Sequence, residues 1–237
     1  MVRFENVGMR YGTGKEVLCG VSMRLSPGSF SFLTGPSGAG KTTLLKLIYL
    51  AERPTRGMIS LFGQNIAMVK RRELPGLRRR IGVVFQNFRL IEHLSARDNV
   101  ALPLRVAGFR EDRIGREVDE LLHWVGLSDH LDDKPATLSG GQQQRIAIAR
   151  AVIGRPSLLI ADEPTGNVDD AIAQRLMRLL EELNKLGTTI VIATHNESLV
   201  ARFPHTRLHI EDGKLTQTPP TYQTSAIEEP PDAARLS

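Results

Sequence analysis

Eight consecutive residues, Gly35-Pro36-Ser37-Gly38-Ala39-Gly40-Lys41-Thr42, constrain this chain more than any other stretch. They fit the pattern G-x-x-x-x-G-K-[ST], a loop built to hold a polyanion. Phe30-Ser31-Phe32-Leu33-Thr34 before the loop reads as a β-prone apolar strand. Thr43 to Ile48 after it reads as the first turns of a buried helix. Glycines let the backbone curl so that successive N–H groups point inward, and the helix N-terminus adds partial positive charge. Lys41 would reach the outer phosphates, and the Thr42 hydroxyl would sit on Mg²⁺. The bland alternative, a Gly-rich turn that binds nothing, lacks a reason for the flanking strand and helix.

Three further strand-like runs end on polar residues. Ile81 to Phe85 ends on Gln86, Leu158 to Ala161 on Asp162-Glu163, and Thr189 to Ala193 on Thr194-His195. Four apolar residues in a row, as in Leu158–Ala161, suit a parallel strand covered on both faces. In open α/β sheets, ligands bind beyond the carboxyl ends of the strands, the edge that the glycine-rich loop also marks. Each polar end then has a chemical duty. Asp162 would hold Mg²⁺ through water. Glu163 would polarise an attacking water, as general bases do. His195 could contact the γ-phosphate and orient that water, and Gln86 could ligate the metal or sense the phosphate. Singly, each has a dull reading as a strand cap, a satisfied histidine or a helix cap; together and in this order they make a set.

Other segments frame that site. Residues 1 to 34 read as an antiparallel β layer feeding the loop, with Val21, Met23 and Leu25 alternating with polar residues. Tyr11, before Gly12-Thr13-Gly14, is an aromatic on a loop tip that could stack on a purine. Between Asn87 and about Pro135 the period becomes helical, with Ile114, Val118, Leu121, Leu122 and Val125 on one stripe. Leu138-Ser139-Gly140-Gly141-Gln142 then opens an Ala- and Ile-rich helix, a second anion nest in a chain that already has one. The economical explanation is that it caps the γ-phosphate of a nucleotide held by another copy. A helix from Asp169 to Lys185 and a hairpin around Asp212-Gly213 close the domain; the Pro-rich residues from Gln217 on read as a disordered tail.

The chain has 237 residues, enough for one large α/β domain with a smaller subdomain. Its formal net charge is +5. Lys70 to Arg80 alone holds six basic residues and one acidic, which leaves two readings: a solvated face or contact with anionic lipid. Nucleic acid is not expected, because no aromatic residue interrupts the run to stack on bases. A single cysteine, Cys19, excludes an internal disulfide framework. The N-terminus lacks a signal peptide, and no run of about 18 apolar residues occurs, so the expectation is a cytoplasmic protein carried to the membrane only by a partner.

The motif series, in order, resembles that of ABC-type ATPase domains. Tyr11 matches the aromatic loop, Gly35–Thr43 the Walker A region and Gln86 the Q-loop. Leu138 to Gln142 match the signature, Leu158–Glu163 Walker B, Val168-Asp169 the D-loop and His195 the H-loop. The resemblance implies an α/β fold. A P-loop NTPase (RecA-like) core with an antiparallel β layer would occupy 1–85 and 156–216, and an inserted helical subdomain 86–155. It implies ATP hydrolysis with Glu163, His195 and Lys41 as catalytic residues and Thr42, Gln86 and Asp162 at the metal. It further implies a head-to-tail homodimer closed by ATP, in which Leu138 to Gln142 and Asp169 contact nucleotide across the interface, and an integral membrane subunit docked near Gln86.

Within the family, Val84–Leu90, Asp98–Leu104 and Ala161–Asn167 resemble the cell-division ATP-binding branch, whose partner is an FtsX-like membrane protein and whose role is regulation of cell-wall hydrolysis. Lipoprotein-releasing and macrolide-export ATPases share Pro164-Thr165-Gly166-Asn167. Two positions depart from the branch: Gln142 stands where Glu is usual, and Asn196 where Asp is common.

Overall fold

The computed structural model describes residues 1–166 and 170–220. Two sheets and a helical cluster make up the fold. The first sheet holds β1 (Val2–Arg10), β2 (Glu16–Leu25), β4 (Arg56–Leu61) and β5 (Gln64–Asn65) in the order β2-β1-β4-β5, antiparallel throughout. The second holds β3 (Phe30–Thr34), β6 (Ile81–Val84), β7 (Leu158–Asp162), β8 (Thr189–Ala193), β9 (Thr206–Glu211) and β10 (Lys214–Thr218) in the order β10-β9-β3-β8-β7-β6. All its pairings are parallel except the β9–β10 hairpin.

Two expectations are corrected here. β3 leaves the antiparallel layer and pairs in parallel with β8 and β9, while β4, after the loop helix, joins that layer instead. The tail begins later than Gln217, because Gln217 and Thr218 pair with Leu208 and Arg207 in β10. Residues 221–237 and Asp169 lie outside the described residues.

The parallel strands read as unbroken apolar runs because both of their faces are covered. Along β8, Ile190 and Ile192 pack with Leu176, Met177 and Leu180 of α6 (Asp170–Lys185). Val191 and Ala193 face the other way, toward α1 (Lys41–Ile48) and the antiparallel sheet. α1 therefore lies between the two sheets, and five of its eight residues are buried. The third apolar cluster joins α3 (Ala96–Val106), α4 (Glu111–Trp124) and α5 (Gly140–Val152) through Val100, Leu104, Ile114, Val118, Leu122 and Ile146. α5 also crosses β6 so closely that a Cβ on Gly82 would lie 2.3 Å from the Ala151 carbonyl oxygen. Short helices α2 (Leu74–Arg78) and α7 (Glu197–Arg202) complete the described elements. Pro75 does not break α2 but opens it, where its missing N–H costs nothing.

Candidate active site

β3 delivers the chain into the glycine-rich loop, and α1 carries it away. Gly35 has φ 141° and packs so close to β9 that a Cβ would lie 2.1 Å from the Ile210 carbonyl oxygen. Only glycine fits there. Lys41 at the start of α1 folds over the loop, its Nζ donating to the carbonyls of Gly35 at 2.7 Å and Pro36 at 3.0 Å. Pro36, Ser37 and Gly38 are exposed, Gly35 and Ala39 partly so, and Gly40 is buried.

Thr42 Oγ1 donates to Asp162 Oδ2 across 3.3 Å, joining α1 to the end of β7. Burial pushes the Asp162 carboxyl above the ordinary carboxylate range; the Thr42 hydrogen bond opposes this, the Glu163 charge adds to it, and the Lys41 charge opposes it. Thr42, Asp162 and Gln86 share a cleft of about 240 Å³ with Lys46, Tyr49 and Arg89. The Thr42 hydroxyl, the Asp162 carboxyl and the Gln86 amide are oxygen donors of the kind that suits a hard divalent cation that keeps most of its waters. The raised carboxyl also has a stability consequence. Its proton is held more tightly in the folded chain, so stability falls as pH rises through the window above the ordinary value and stays lower at neutrality. Asp162→Asn keeps an oxygen for Thr42 and removes the charge. It is expected to raise the melting temperature near neutral pH by about 2–4 °C. The gain should vanish in acid; an unchanged or lower melting temperature at neutrality would contradict it.

Glu163 takes up a left-handed backbone conformation, φ 50°, which costs of order 1 kcal/mol in a non-glycine residue. The turn swings its carboxylate away from Asp162 and toward β8. There Oε2 accepts from Thr194 Oγ1 at 3.2 Å and Oε1 lies 2.7 Å from His195 Nδ1. An ionised carboxylate only accepts, so Nδ1 carries the proton. The Glu163 side chain is 12% exposed and that of His195 77%. A sheltered carboxylate is thus held by an accessible imidazole. The sequence placed both residues at strand ends but did not foresee their contact or the part of Thr194, whose only signal is its place beside His195.

Tyr11 follows β1, and its hydroxyl is 3.4 Å from Thr43 Oγ1 while Lys46 Nζ lies 5.6 Å from its ring centre. The ring therefore stands beside the loop helix, 44% exposed. Gln86 sits two residues beyond β6 rather than on its end, exposed, in a segment whose Phe88 and Arg89 both have positive φ. Arg150 of α5 grips that segment, donating to the carbonyls of Phe88 and Arg89 at 2.7 Å each. Sequence reasoning missed Arg150, whose signal is a cation in the Ala- and Ile-rich second half of α5.

Leu138 is buried, and Ser139 caps α5. Ser139 Oγ accepts from the Gln142 N–H at 3.3 Å, and the Ser139 N–H donates to Gln142 Oε1 at 2.7 Å. Ser139 and Gly140 are exposed at the first turn, where helix N–H groups have no intrahelical partner. Among the described residues, no hydrogen bond or ion pair joins this turn to Gly35–Thr42.

Residues 18–166 match the family model described as ABC transporter. The chain belongs to that family. As a member it is an ABC-type ATPase with the ABC-type P-loop fold. Among relatives, the cell division ATP-binding protein FtsE of Escherichia coli K12 is 48% identical over 215 residues, spanning 91% of this chain and 97% of its own length. FtsE of Bacillus subtilis is 43% identical over 217 residues, covering 92% and 95%. FtsE of Mycobacterium tuberculosis is 41% identical over 218 residues, covering 92% and 95%. Among solved structures, the dimeric ATP-binding cassette MJ0796, in a post-hydrolysis state bound to ADP and Pi, superposes with a TM-score of 0.87 at 34% identity, covering 92% of this chain and 98% of that one.

Proposed function

We propose that this chain is the ATP-hydrolysing subunit of a bacterial cell-division membrane complex, and that it works as a head-to-tail homodimer on an FtsX-like membrane subunit. The observation that carries the catalytic part is the Glu163–His195 pair at the ends of adjacent strands β7 and β8, beside the loop that ends in Lys41. In this reading Gly35 to Thr43 cradle the phosphates, Tyr11 stacks on the purine, and Lys41 meets the outer phosphates. Glu163 accepts the proton of the attacking water, held in place by Thr194 and His195. Thr42, Gln86 and Asp162 hold Mg²⁺, which neutralises phosphate charge when bound.

Leu138 to Gln142 and Asp169 complete the site of the opposite copy. The dimeric MJ0796 cassettes and the capped, exposed first turn of α5 support this arrangement. ATP then closes the pair and hydrolysis reopens it. The unit 86–155, built on its own apolar cluster and tied to the segment after Gln86 by Arg150, transmits that movement.

The membrane subunit would enter a groove of about 760 Å³ lined by Phe85, Arg89, Leu102, Val106 and Phe109. Val106 is 64% and Phe109 39% exposed, unusual for large apolar side chains unless covered by a partner. Nearby, Arg78 is spent on the Leu50 carbonyl and Arg80 on the Phe62 ring. Lys70, Arg71, Arg72 and Arg79 remain exposed, and in this reading they face anionic lipid while the protein works on the cytoplasmic side of the inner membrane. No helix among the described residues is long and apolar enough to cross a membrane.

The test is recovery of the tagged chain from solubilised membranes with whatever subunit it holds. A membrane protein of the FtsX type is expected, with filamentous growth on depletion. A lipoprotein-release complex, with mislocalised lipoproteins, would replace this reading by a transporter. Val106→Asp should abolish co-purification while the soluble protein's basal ATPase rate stays within about twofold, since a groove-rim charge is far from the phosphates. Co-purification undiminished by that charge would move the docking site elsewhere.

A further inference from the structure

Gln142, the position that departs from the cell-division branch, is one link of a hydrogen-bonded chain. Asp133 Oδ2 lies 2.7 Å from His130 Nδ1, His130 Nε2 lies 2.8 Å from Gln142 Nε2, and Gln142 Oε1 accepts from the Ser139 N–H at 2.7 Å. The donor count orders it in one direction. The Ser139 N–H can only donate, so the amide turns its oxygen to Ser139 and its NH₂ to His130. An NH₂ also only donates, so Nε2 of His130 must accept. The imidazole proton is then on Nδ1, where Asp133 receives it. Rotating the amide by half a turn would set NH₂ against N–H at Ser139 and oxygen against a lone pair at His130. The Ser139 N–H and the imidazole, in this one tautomer, therefore hold Gln142 facing the same way from its two ends.

We propose that His130 is a positioning residue for ATP-driven pairing: through the Gln142 amide it keeps the Ser139 cap closed and the first turn of α5 set for the phosphates of the other copy's nucleotide. This rests on the head-to-tail reading above. His130 touches neither nucleotide nor reacting atoms and acts only through Gln142. It stands in the turn at Ser128–His130, and its side chain is 35% exposed, so water competes and the effect is graded rather than absolute. A carboxylate at 142 would need a donor at 130 in place of an acceptor. The imidazole can meet that need by moving its proton to Nε2, whereas an ammonium at 130 can only donate and so reverses the polarity against Gln142.

The test uses the full chain carrying Glu163→Gln, so that ATP-paired dimers accumulate, with His130→Lys alone or combined with Gln142→Glu. An introduced ammonium only donates, draws the amide oxygen away from Ser139 and opens the cap. In the nucleotide-free protein, hydrogen exchange at the Ser139 amide should accelerate about tenfold for His130→Lys, and ATP-driven dimerisation should weaken by a similar factor. Affinity of the single chain for nucleotide should not change. Adding Gln142→Glu restores the polarity, one carboxylate oxygen for the ammonium and one for Ser139, and should recover both readouts. Unchanged Ser139 exchange in His130→Lys overturns the proposal, as does a double variant no better than the single. Normal dimerisation in His130→Lys overturns it too, provided Ser139→Arg blocks pairing. If Ser139→Arg itself pairs normally, the head-to-tail reading fails, and the exchange measurement judges the relay separately.

Discussion

Glu163→Gln is expected to slow ATP turnover by about 10²–10⁴-fold, the usual contribution of a general base, while ATP still drives two chains together. The expectation follows from how little else the substitution touches. The amide has the shape of the carboxylate, and its oxygen can accept from Thr194 as Oε2 does now. Its NH₂ can face His195 once the imidazole proton moves to Nε2, so the Glu163–His195 contact at 2.7 Å has a neutral replacement. Thr42, Asp162 and Lys41 are untouched, so the phosphate and metal contacts proposed for them persist. What is lost is the ability to take a proton from water. Binding energy then has no exit through hydrolysis, and the closed pair accumulates.

Single-turnover phosphate release and light scattering with ATP read these two effects independently. Turnover at the parent rate would remove Glu163 from the role of base. Slow turnover without accumulated dimers would instead point to a damaged interface. Glu163 is also the residue where the backbone is strained, and a sheltered carboxylate in a left-handed conformation is a poor choice for stability alone. That cost makes sense if the geometry serves the chemistry.

How much of this site could be read in advance depends on sequence distance. The Gly35–Thr43 loop is contiguous, and its chemistry follows from local backbone geometry, so it was legible at once. Gln86, Asp162 and His195 were legible as polar ends of apolar runs, because a parallel strand buried on both faces reads as such. Their contacts were not. Thr42 and Asp162 are 120 residues apart, and Glu163 and His195 are 32 apart. Glu163 meets His195 because β7 and β8 pair side by side, and Thr42 reaches Asp162 from the start of α1, which packs across the strands. No periodicity encodes that order. The basic run shows a different limit: charge is visible in the sequence, but only the fold shows that Arg78 and Arg80 are occupied internally by Leu50 and Phe62. The tail boundary slipped because Gln217 and Thr218 carry no strand signature of their own and are extended by their partners in β9.

Lys41→Ala is expected to have the opposite profile to Glu163→Gln, with binding lost before chemistry is reached. The Lys41 ammonium has three donors, and two of them are engaged with the Gly35 and Pro36 carbonyls. Those bonds fix the ammonium over the mouth of the loop, where incoming phosphate oxygens would exchange for carbonyls. A hydrogen bond to a charged group contributes about 1.5–3 kcal/mol, and two to outer phosphates would give about 3–6 kcal/mol. The corresponding loss of ATP affinity is about 10²–10⁴-fold. Folding should be spared, since the Lys41 side chain is only partly buried and leaves behind two exposed-edge carbonyls that water can satisfy. Lys41→Arg should not rescue binding, because a planar fork cannot replace a compact ammonium between two loop carbonyls. Titration of each variant with a fluorescent ATP analogue and Mg²⁺, beside a thermal melt, separates lost binding from lost structure. An affinity within about threefold of the parent would mean that the loop backbone and the α1 dipole hold the phosphates without the lysine, and that Lys41 merely braces the turn.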